Sequence, residues 1–552
     1  MIKYKFNKAP FFLFIFMLII GSSFSDKRDV NNKDYFEITK NLKILASIYE
    51  RVNNFYVDEP LPGDLMKKGI DAMLASLDPY TVYIPESNIE DFRLITTGQY
   101  GGIGASIIKQ GEYVVISEPY ENSPAHLSGL LAGDTILKVN DVSVKGKSID
   151  EISKILKGSA ESNLKILTTR YSEKKETNVV RKKISIPAVP FSGMLGDQIG
   201  YVKLNSFTDK ASLEVGKAIE KLKEEKNINK LIIDLRGNGG GLLMQAVDIV
   251  NFFIPKDQLV VQTKGRMEEI NRSYKTRNNP IDLEIPLVVL IDAYSASASE
   301  IVSGSLQDLD RAVIIGENSF GKGLVQQTKD LKFGSKIKLT VAKYYTPSGR
   351  CIQKLDYTNK SLAGSADIIA DSLIKFFHTK NGRKVKDSRG VDPDVLIEQN
   401  YFTKLSEVLI YNDYIFNYVN DYLREEREIK SPLEYSFSDY KDFSTYLIDK
   451  DVKYTNESED DLNQLINTSK KEKYFSNNEE LFEKLRTKLK PNIQEDLERH
   501  KIEIKKIIEN EIISRYFFQK GRIQASLKDD PYILKATNIL SDSLNYSNIL
   551  NK

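Results

Sequence analysis

The chain predicts an α/β core that carries a smaller β-rich module and is flanked by helical segments. Three observations lead there. Short apolar runs, Leu231-Ile232-Ile233-Asp234-Leu235, Leu287-Val288-Val289-Leu290-Ile291 and Ala312-Val313-Ile314-Ile315-Gly316, alternate with stretches of helical spacing, as in an α/β domain. Between Gln99 and Arg170 the texture changes to strands broken by glycine turns. Outside these regions apolar residues recur at i, i+3/i+4 and i+7. With 552 residues, 41% hydrophobic and 28% charged, the chain is long enough for three or four domains of ~100–200 residues.

Taken in order, Lys3, Lys5 and Lys8 precede an unbroken apolar run over residues 9–20, followed by Gly21-Ser22-Ser23-Phe24-Ser25. A basic region, a short apolar region and small residues at Ser23 and Ser25 read as a secretory signal ending near Asp26. The run falls short of the ~20 residues that span a bilayer, but residues 21–24 bring it closer. Residues 1–25 are therefore expected to be a signal peptide or a membrane anchor, and the mature protein to be exported. Residues 26–85 read as an N-terminal helical segment, with one stripe at Leu42, Ile44, Leu45, Ile48 and Tyr49 and a second at Met66, Ile70, Met73, Leu74 and Leu77. Pro60-Leu61-Pro62-Gly63 separates the two.

Residues 86–172 form the β-rich module. Tyr113-Val114-Val115-Ile116 and Leu164-Lys165-Ile166-Leu167 read as strands, and Ser148 with Glu151 as a capping box that opens a short helix closed at Gly158. The core follows over residues 185–400. Its glycine run, Gly237-Asn238-Gly239-Gly240-Gly241, lacks the Gly-Lys-Ser/Thr ending of a phosphate loop and reads as a strand-to-helix turn.

Ser295-Ala296-Ser297-Ala298-Ser299 stands between a buried strand and a helix. Small residues there leave room for a substrate, and the helix start presents unpaired N–H groups at the positive end of the macrodipole. A hydroxyl at such a place can act as a nucleophile. Downstream, Phe320-Gly321-Lys322-Gly323 sets one lysine between glycines, which lets backbone and ligand approach the amine. Each piece also has a bland reading: a Ser/Ala alternation as an N-cap region, a Gly-Lys-Gly loop as a turn with a solvated lysine. The combination says more. The only histidines, His126, His378 and His500, lie outside the segments expected around this pocket, so lysine is the available base, and Ser-Lys pairs are a known variant of the triad.

Beyond residue 400 the composition shifts to Lys, Glu, Asn, Tyr and Ile, and residues 480–489, 493–513 and 531–550 read as charged amphipathic helices. Residues 401–552 are expected to be a helical region without a chemical motif, packed on the core, with a lid, a tether or an oligomerisation surface as alternatives.

Several of these stretches together resemble the carboxyl-terminal processing peptidases, or tail-specific proteases: Ser295-Ala296-Ser297-Ala298-Ser299-Glu300-Ile301, Phe320-Gly321-Lys322-Gly323 with Gln326, Tyr344-Tyr345-Thr346-Pro347-Ser348-Gly349-Arg350, Asp234-Leu235-Arg236-Gly237-Asn238-Gly239-Gly240-Gly241, and Leu77-Asp78-Pro79-Tyr80-Thr81. Gly101-Gly102-Ile103-Gly104-Ala105, Ser123-Pro124-Ala125, Gly129-Leu130 and the run from Gly133 to Asn140 resemble a PDZ domain of the bacterial protease type. The resemblance implies a crotonase-like protease core with an inserted PDZ domain. It makes Ser297 the nucleophile, Lys322 the base and Gln326 the residue that orients the lysine. The Ala298 N–H, with that of Gly240 or a neighbouring glycine, would form the oxyanion hole. Ile103, Gly104 and Ala105 would hold a substrate's terminal carboxylate on backbone donors.

The function so implied is a serine endopeptidase that cleaves exported proteins with exposed C-termini, in the periplasm or at the periplasmic face of the inner membrane. The alternative is a catalytically inactive PDZ-containing peptide-binding scaffold, which has no need to retain Ser297, Lys322 and Gln326 together. Near balance between 79 basic and 77 acidic residues argues against a nucleic-acid partner. The single cysteine, Cys351, excludes an intramolecular disulfide framework and a cysteine-based zinc site; no metal or organic cofactor is implied. Membrane anchoring through the N-terminal segment and a homo-oligomer both stay open.

Overall fold

The computed structural model describes residues 32–360, 366–398, 402–425 and 427–551. The signal or anchor expected over residues 1–25 lies outside the described residues. Among the described residues no helix is long and apolar enough to cross a membrane.

The described residues fall into two compact units, one up to Ser76 and the other from Leu77 onward. In the first, helices Asn32–Phe55 and Pro62–Ala75 realise the two expected stripes, and Pro62 starts the second helix, where its missing N–H costs nothing. The Tyr49 hydroxyl donates to Pro62 O at 2.9 Å, which joins the two helices.

The second unit is built on a six-stranded sheet with strand order Phe191–Leu195, Ile199–Lys203, Lys230–Asp234, Leu287–Ile291, Val313–Gly316 and Val395–Leu396. The first pair is antiparallel and the others are parallel. Helices Ala211–Lys226, Leu243–Asn251 and Ala298–Asp308 cover one face, where Val202, Leu231, Ile233 and Val289 are buried. Helix Pro531–Ser541 covers the other, with Ile533, Ala536 and Ile539 against Ile232, Val288, Leu290 and Ile315. Both faces are thus apolar, which explains strands without a polar alternation. The C-terminal region is therefore partly core. Residues 493–513 do not form one helix, because the chain turns at His500 between Ile493–Arg499 and Lys501–Ser526. Residues 531–550 likewise break at Asp542, which leaves helical backbone and caps the next helix. A separate helical cluster holds Leu405, Val419, Phe443, Leu447 and Ile508.

A second sheet carries the lysine side of the site. Strand Lys336–Tyr345 pairs with Val82–Ile84, Leu259–Gly265 and Leu324–Asp330. Because Val82–Ile84 already belongs to this sheet, the β-rich module after it is an insertion into the core. The module's sheet runs Ala105–Gln110, Tyr113–Pro119, Thr135–Val139, Asn163–Arg170, Glu173–Val180, and the pair Gln99–Gly102 with Lys182–Ser185 closes its base. Its sheet thus continues past residue 172. Residues 173–180 are a charged edge strand, with too few apolar positions to announce itself, and such charges are what keep an edge from pairing further. The expected capping box of Ser148 and Glu151 is present on helix Ile149–Leu156.

Candidate active site

Ser297 stands at the N-terminus of helix Ala298–Asp308 with φ 57° and ψ −109°. For a residue with a Cβ this is strained backbone, and it persists only where the surroundings over-determine it. Here they do. The Glu300 carboxylate accepts the Ser297 N–H at 2.7 Å. Ala296 N–H donates to Asn238 O at 3.0 Å and the Ser299 hydroxyl to the same oxygen at 2.8 Å, while Ser295 Oγ donates to Leu235 O at 2.9 Å. Of the three serines in the run, Ser295 and Ser299 are fully buried and engaged with backbone oxygens, and Ser297 lines a cavity of about 980 Å³. Lys322, Gln326, Ala298 and Gly240 line the same cavity.

Glu300 fixes both halves of this site. Fully buried, it accepts hydrogen bonds from Ser297 N, Ser319 Oγ (2.6 Å), Gly321 N (2.7 Å) and Lys322 N (2.9 Å). One carboxylate therefore holds the serine turn to the lysine loop. Burial pushes its proton affinity up while those four donors oppose the shift. Tyr344 adds a second link: its hydroxyl lies 3.0 Å from Ser297 O and 2.6 Å from Lys322 O. Neither role was assigned from the sequence. The Ser-x-x-Glu spacing of a capping box was there to be seen for Glu300; Tyr344 stood in one of the stretches that carry the resemblance, but nothing local showed what its hydroxyl holds.

The Lys322 ammonium lies 4.2 Å from the centre of the Tyr80 ring. Burial first, and then the charge of Lys338, bring its pKa down to about 8 against smaller opposing effects of Glu300 and Asp78. About one molecule in ten then carries a neutral amine at pH 7. Gln326 reaches the cavity, but its amide donates to Thr340 Oγ1 at 3.1 Å; among the described residues no hydrogen bond joins it to Lys322. The expected contact with the lysine is thus not made, and among the described residues Gln326 Oε1 has no hydrogen-bond partner.

The glycine turn is pinned by Asp292, which accepts the Gly237 N–H, and by Asn238, whose amide donates to Leu204 O. Before it, Arg236 bridges Asp234 and Asp530, at 2.6 and 2.7 Å, and so ties the turn to the C-terminal helices. Gly240 or a neighbouring glycine was expected as a donor to the oxyanion; the Gly240 N–H itself donates to Asn238 Oδ1 at 2.9 Å, which leaves the neighbours. What Gly240 supplies is room. With φ 100°, a Cβ there would lie 2.8 Å from Ser297 Cβ and 2.9 Å from Ala298 N. The N–H groups of Ala298, Gly239 and Gly241 make no hydrogen bond within the described chain, which suits them to a developing oxyanion.

In the module, strand Ala105–Gln110 is an edge strand, open to an added peptide beside helix Ile149–Leu156. Ile103 O accepts from Ala125 N and Gly104 O from Tyr120 N and Ser123 Oγ, so the turn is held by its carbonyls. The Ile103 and Gly104 N–H groups make no hydrogen bond within the described chain.

Comparison with known proteins agrees with this arrangement. Residues 198–359 match peptidase family S41, residues 115–170 a PDZ domain, and residues 405–540 the C-terminal helical domain of a probable PDZ-protease. The chain is 34% identical over 361 residues to a carboxy-terminal-processing protease of Bartonella bacilliformis, covering 64% of this chain and 81% of that one. It is 35% identical over 314 residues to a probable CtpA-like serine protease of Staphylococcus haemolyticus, of which it spans 62%. Among solved structures, the photosystem II D1 C-terminal processing protease aligns at 27% identity over 64% of this chain and 92% of that one, with a TM-score of 0.35. A strained serine on a strand-to-helix turn, a desolvated lysine and an attached PDZ module define a serine protease. The chain belongs to the carboxy-terminal-processing protease family.

Proposed function

We propose that the protein is a serine endopeptidase with a Ser297–Lys322 dyad that processes exported proteins from an exposed C-terminus, in the periplasm or at the periplasmic face of the inner membrane. The observation that carries this reading is the pairing, in one cavity, of a serine held at φ 57° with a lysine held near pKa 8. In the neutral amine form, Lys322 Nζ takes the Ser297 hydroxyl proton as Oγ bonds to the scissile carbonyl carbon. The resulting oxyanion accepts the Ala298 N–H and one from Gly239 or Gly241. Collapse breaks the C–N bond, Lys322 returns the proton to the departing amine, and an ester on Ser297 remains. A water then attacks with Lys322 again as base, which releases the new C-terminal acid and restores Ser297. Gln326, through its free Oε1, accepts from the ammonium during these transfers. Ile103, Gly104 and Ala105 hold the substrate's terminal carboxylate, and added strand pairing along Ala105–Gln110 carries the peptide toward the cavity.

The test is Ser297→Ala beside Ser295→Ala and Ser299→Ala, read by mass spectrometry of substrate C-termini. Ser297→Ala is expected to remove nearly all cleavage, by about three orders of magnitude or more, and to leave C-terminal peptide binding intact. Full cleavage by Ser297→Ala would overturn the assignment.

A further inference from the structure

A second lysine lines the catalytic cavity. Lys338 stands on strand Lys336–Tyr345, cross-strand from Thr328 and two residues before Thr340, the partner of Gln326. Residues two apart share a face of a strand, so Lys338 and Thr340 lie on the same side. Lys338 is half-buried, and among the described residues it has no ion pair and no side-chain hydrogen bond.

The carboxylates near Lys322 are turned away from it. Glu300 directs its oxygens to three N–H groups and one hydroxyl. Asp78 accepts from Tyr80 N at 2.8 Å, Thr81 N at 2.8 Å and Thr81 Oγ1 at 3.0 Å. Asp91, also at the cavity wall, pairs with Lys157 at 2.6 Å. Tyr80 offers a ring face and Tyr344 donates its hydroxyl to backbone oxygens. Among the described residues no acid forms an ion pair with either cavity lysine, and two like charges in one partly dry space destabilise each other.

We propose that Lys338 is a positioning residue of the active site: its ammonium, facing the same cavity, repels a second positive charge and so keeps Lys322 in the neutral form that takes the Ser297 proton. The inference rests on the reading of Lys322 as the base. The effect of Lys338 on Lys322 is second only to that of burial, and Lys338 is itself pushed down by burial.

The experiment follows the rate at which a small sulfonyl fluoride labels Ser297, as a function of pH, because such a probe needs no peptide site. In Lys338→Met and Lys338→Gln the midpoint of the rise is expected about half a unit to one unit higher, which slows labelling at pH 7 by about three- to tenfold. Lys338→Arg keeps the charge and the parent profile. A midpoint unmoved in both neutral variants, with labelling lost in Lys322→Met, overturns the role of Lys338 alone. Parent-like labelling of Lys322→Met overturns the base assignment beneath it. A midpoint displaced as far by Arg as by Met also refutes the inference, since charge would then not be the cause.

Discussion

The molecule contains two glycine turns to which the proposed mechanism assigns a negatively charged oxygen, and they are built differently. The turn at residues 237–241 lies against Ser297; its backbone is held by the buried Asn238 side chain and by the partly exposed Asp292, and the Ser297 turn beside it by the buried Glu300. The turn at residues 101–104 opens a sheet edge whose strand Ala105–Gln110 is partly exposed throughout, and it is held through its own carbonyls by Tyr120, Ser123 and Ala125. A group that must meet a fleeting oxyanion needs donors fixed in advance. One that captures a stable carboxylate tolerates an open, adaptable edge.

Filling each turn with a methyl group separates the two roles. Gly240→Ala places a Cβ within 2.9 Å of Ser297 Cβ, Ala298 N and Ala296 O, and turnover is expected to fall by about two to three orders of magnitude, with anisotropy of a labelled C-terminal peptide unchanged. Parent-level kcat would show that the two loops need not touch. The next effect is on stability. Lys322 binds a proton less readily folded, near pKa 8, than unfolded, near 10.5, so its charge destabilises the fold. The cost is complete below pH 8 and gone above pH 10.5. Lys322→Met is then expected to be inactive yet more stable at pH 7 by on the order of 2–3 kcal/mol; a stability gain that persisted unchanged at pH 11 would assign it to packing instead. The smallest effect is at the open edge. A Cβ on Gly104 would lie 2.4 Å from that of Ser123, at φ 74°, and Gly104→Ala should raise KM about tenfold, or ~1.4 kcal/mol, with kcat near the parent value. A fall in kcat with KM unmoved would break the division of labour.

The same contrast decides what the sequence disclosed. Strands buried on both faces announce themselves, as Leu287–Ile291 does, and so do short motifs whose chemistry is local, such as Ser297 and Lys322. The links between motifs were less visible. Glu300 and Tyr344 matter because they touch two loops at once, a property of the fold rather than of any window of residues. The resemblance left the donor as Gly240 or a neighbouring glycine; that the Asn238 side chain claims the Gly240 N–H depends on a rotamer. The fifth strand of the module, Glu173–Val180, escaped because an edge strand carries charge where a buried one carries apolar residues.

One feature of the core bears on how late the fold is completed. Helix Pro531–Ser541 covers a face of the central sheet whose strands leave the ribosome long before it does. During synthesis and transit, Ile232, Val288, Leu290 and Ile315 stay uncovered, and the Asp530 anchor for Arg236 is still missing. A half-made chain thus carries an exposed apolar sheet face, the kind of surface that draws chains into aggregation before the last helices arrive.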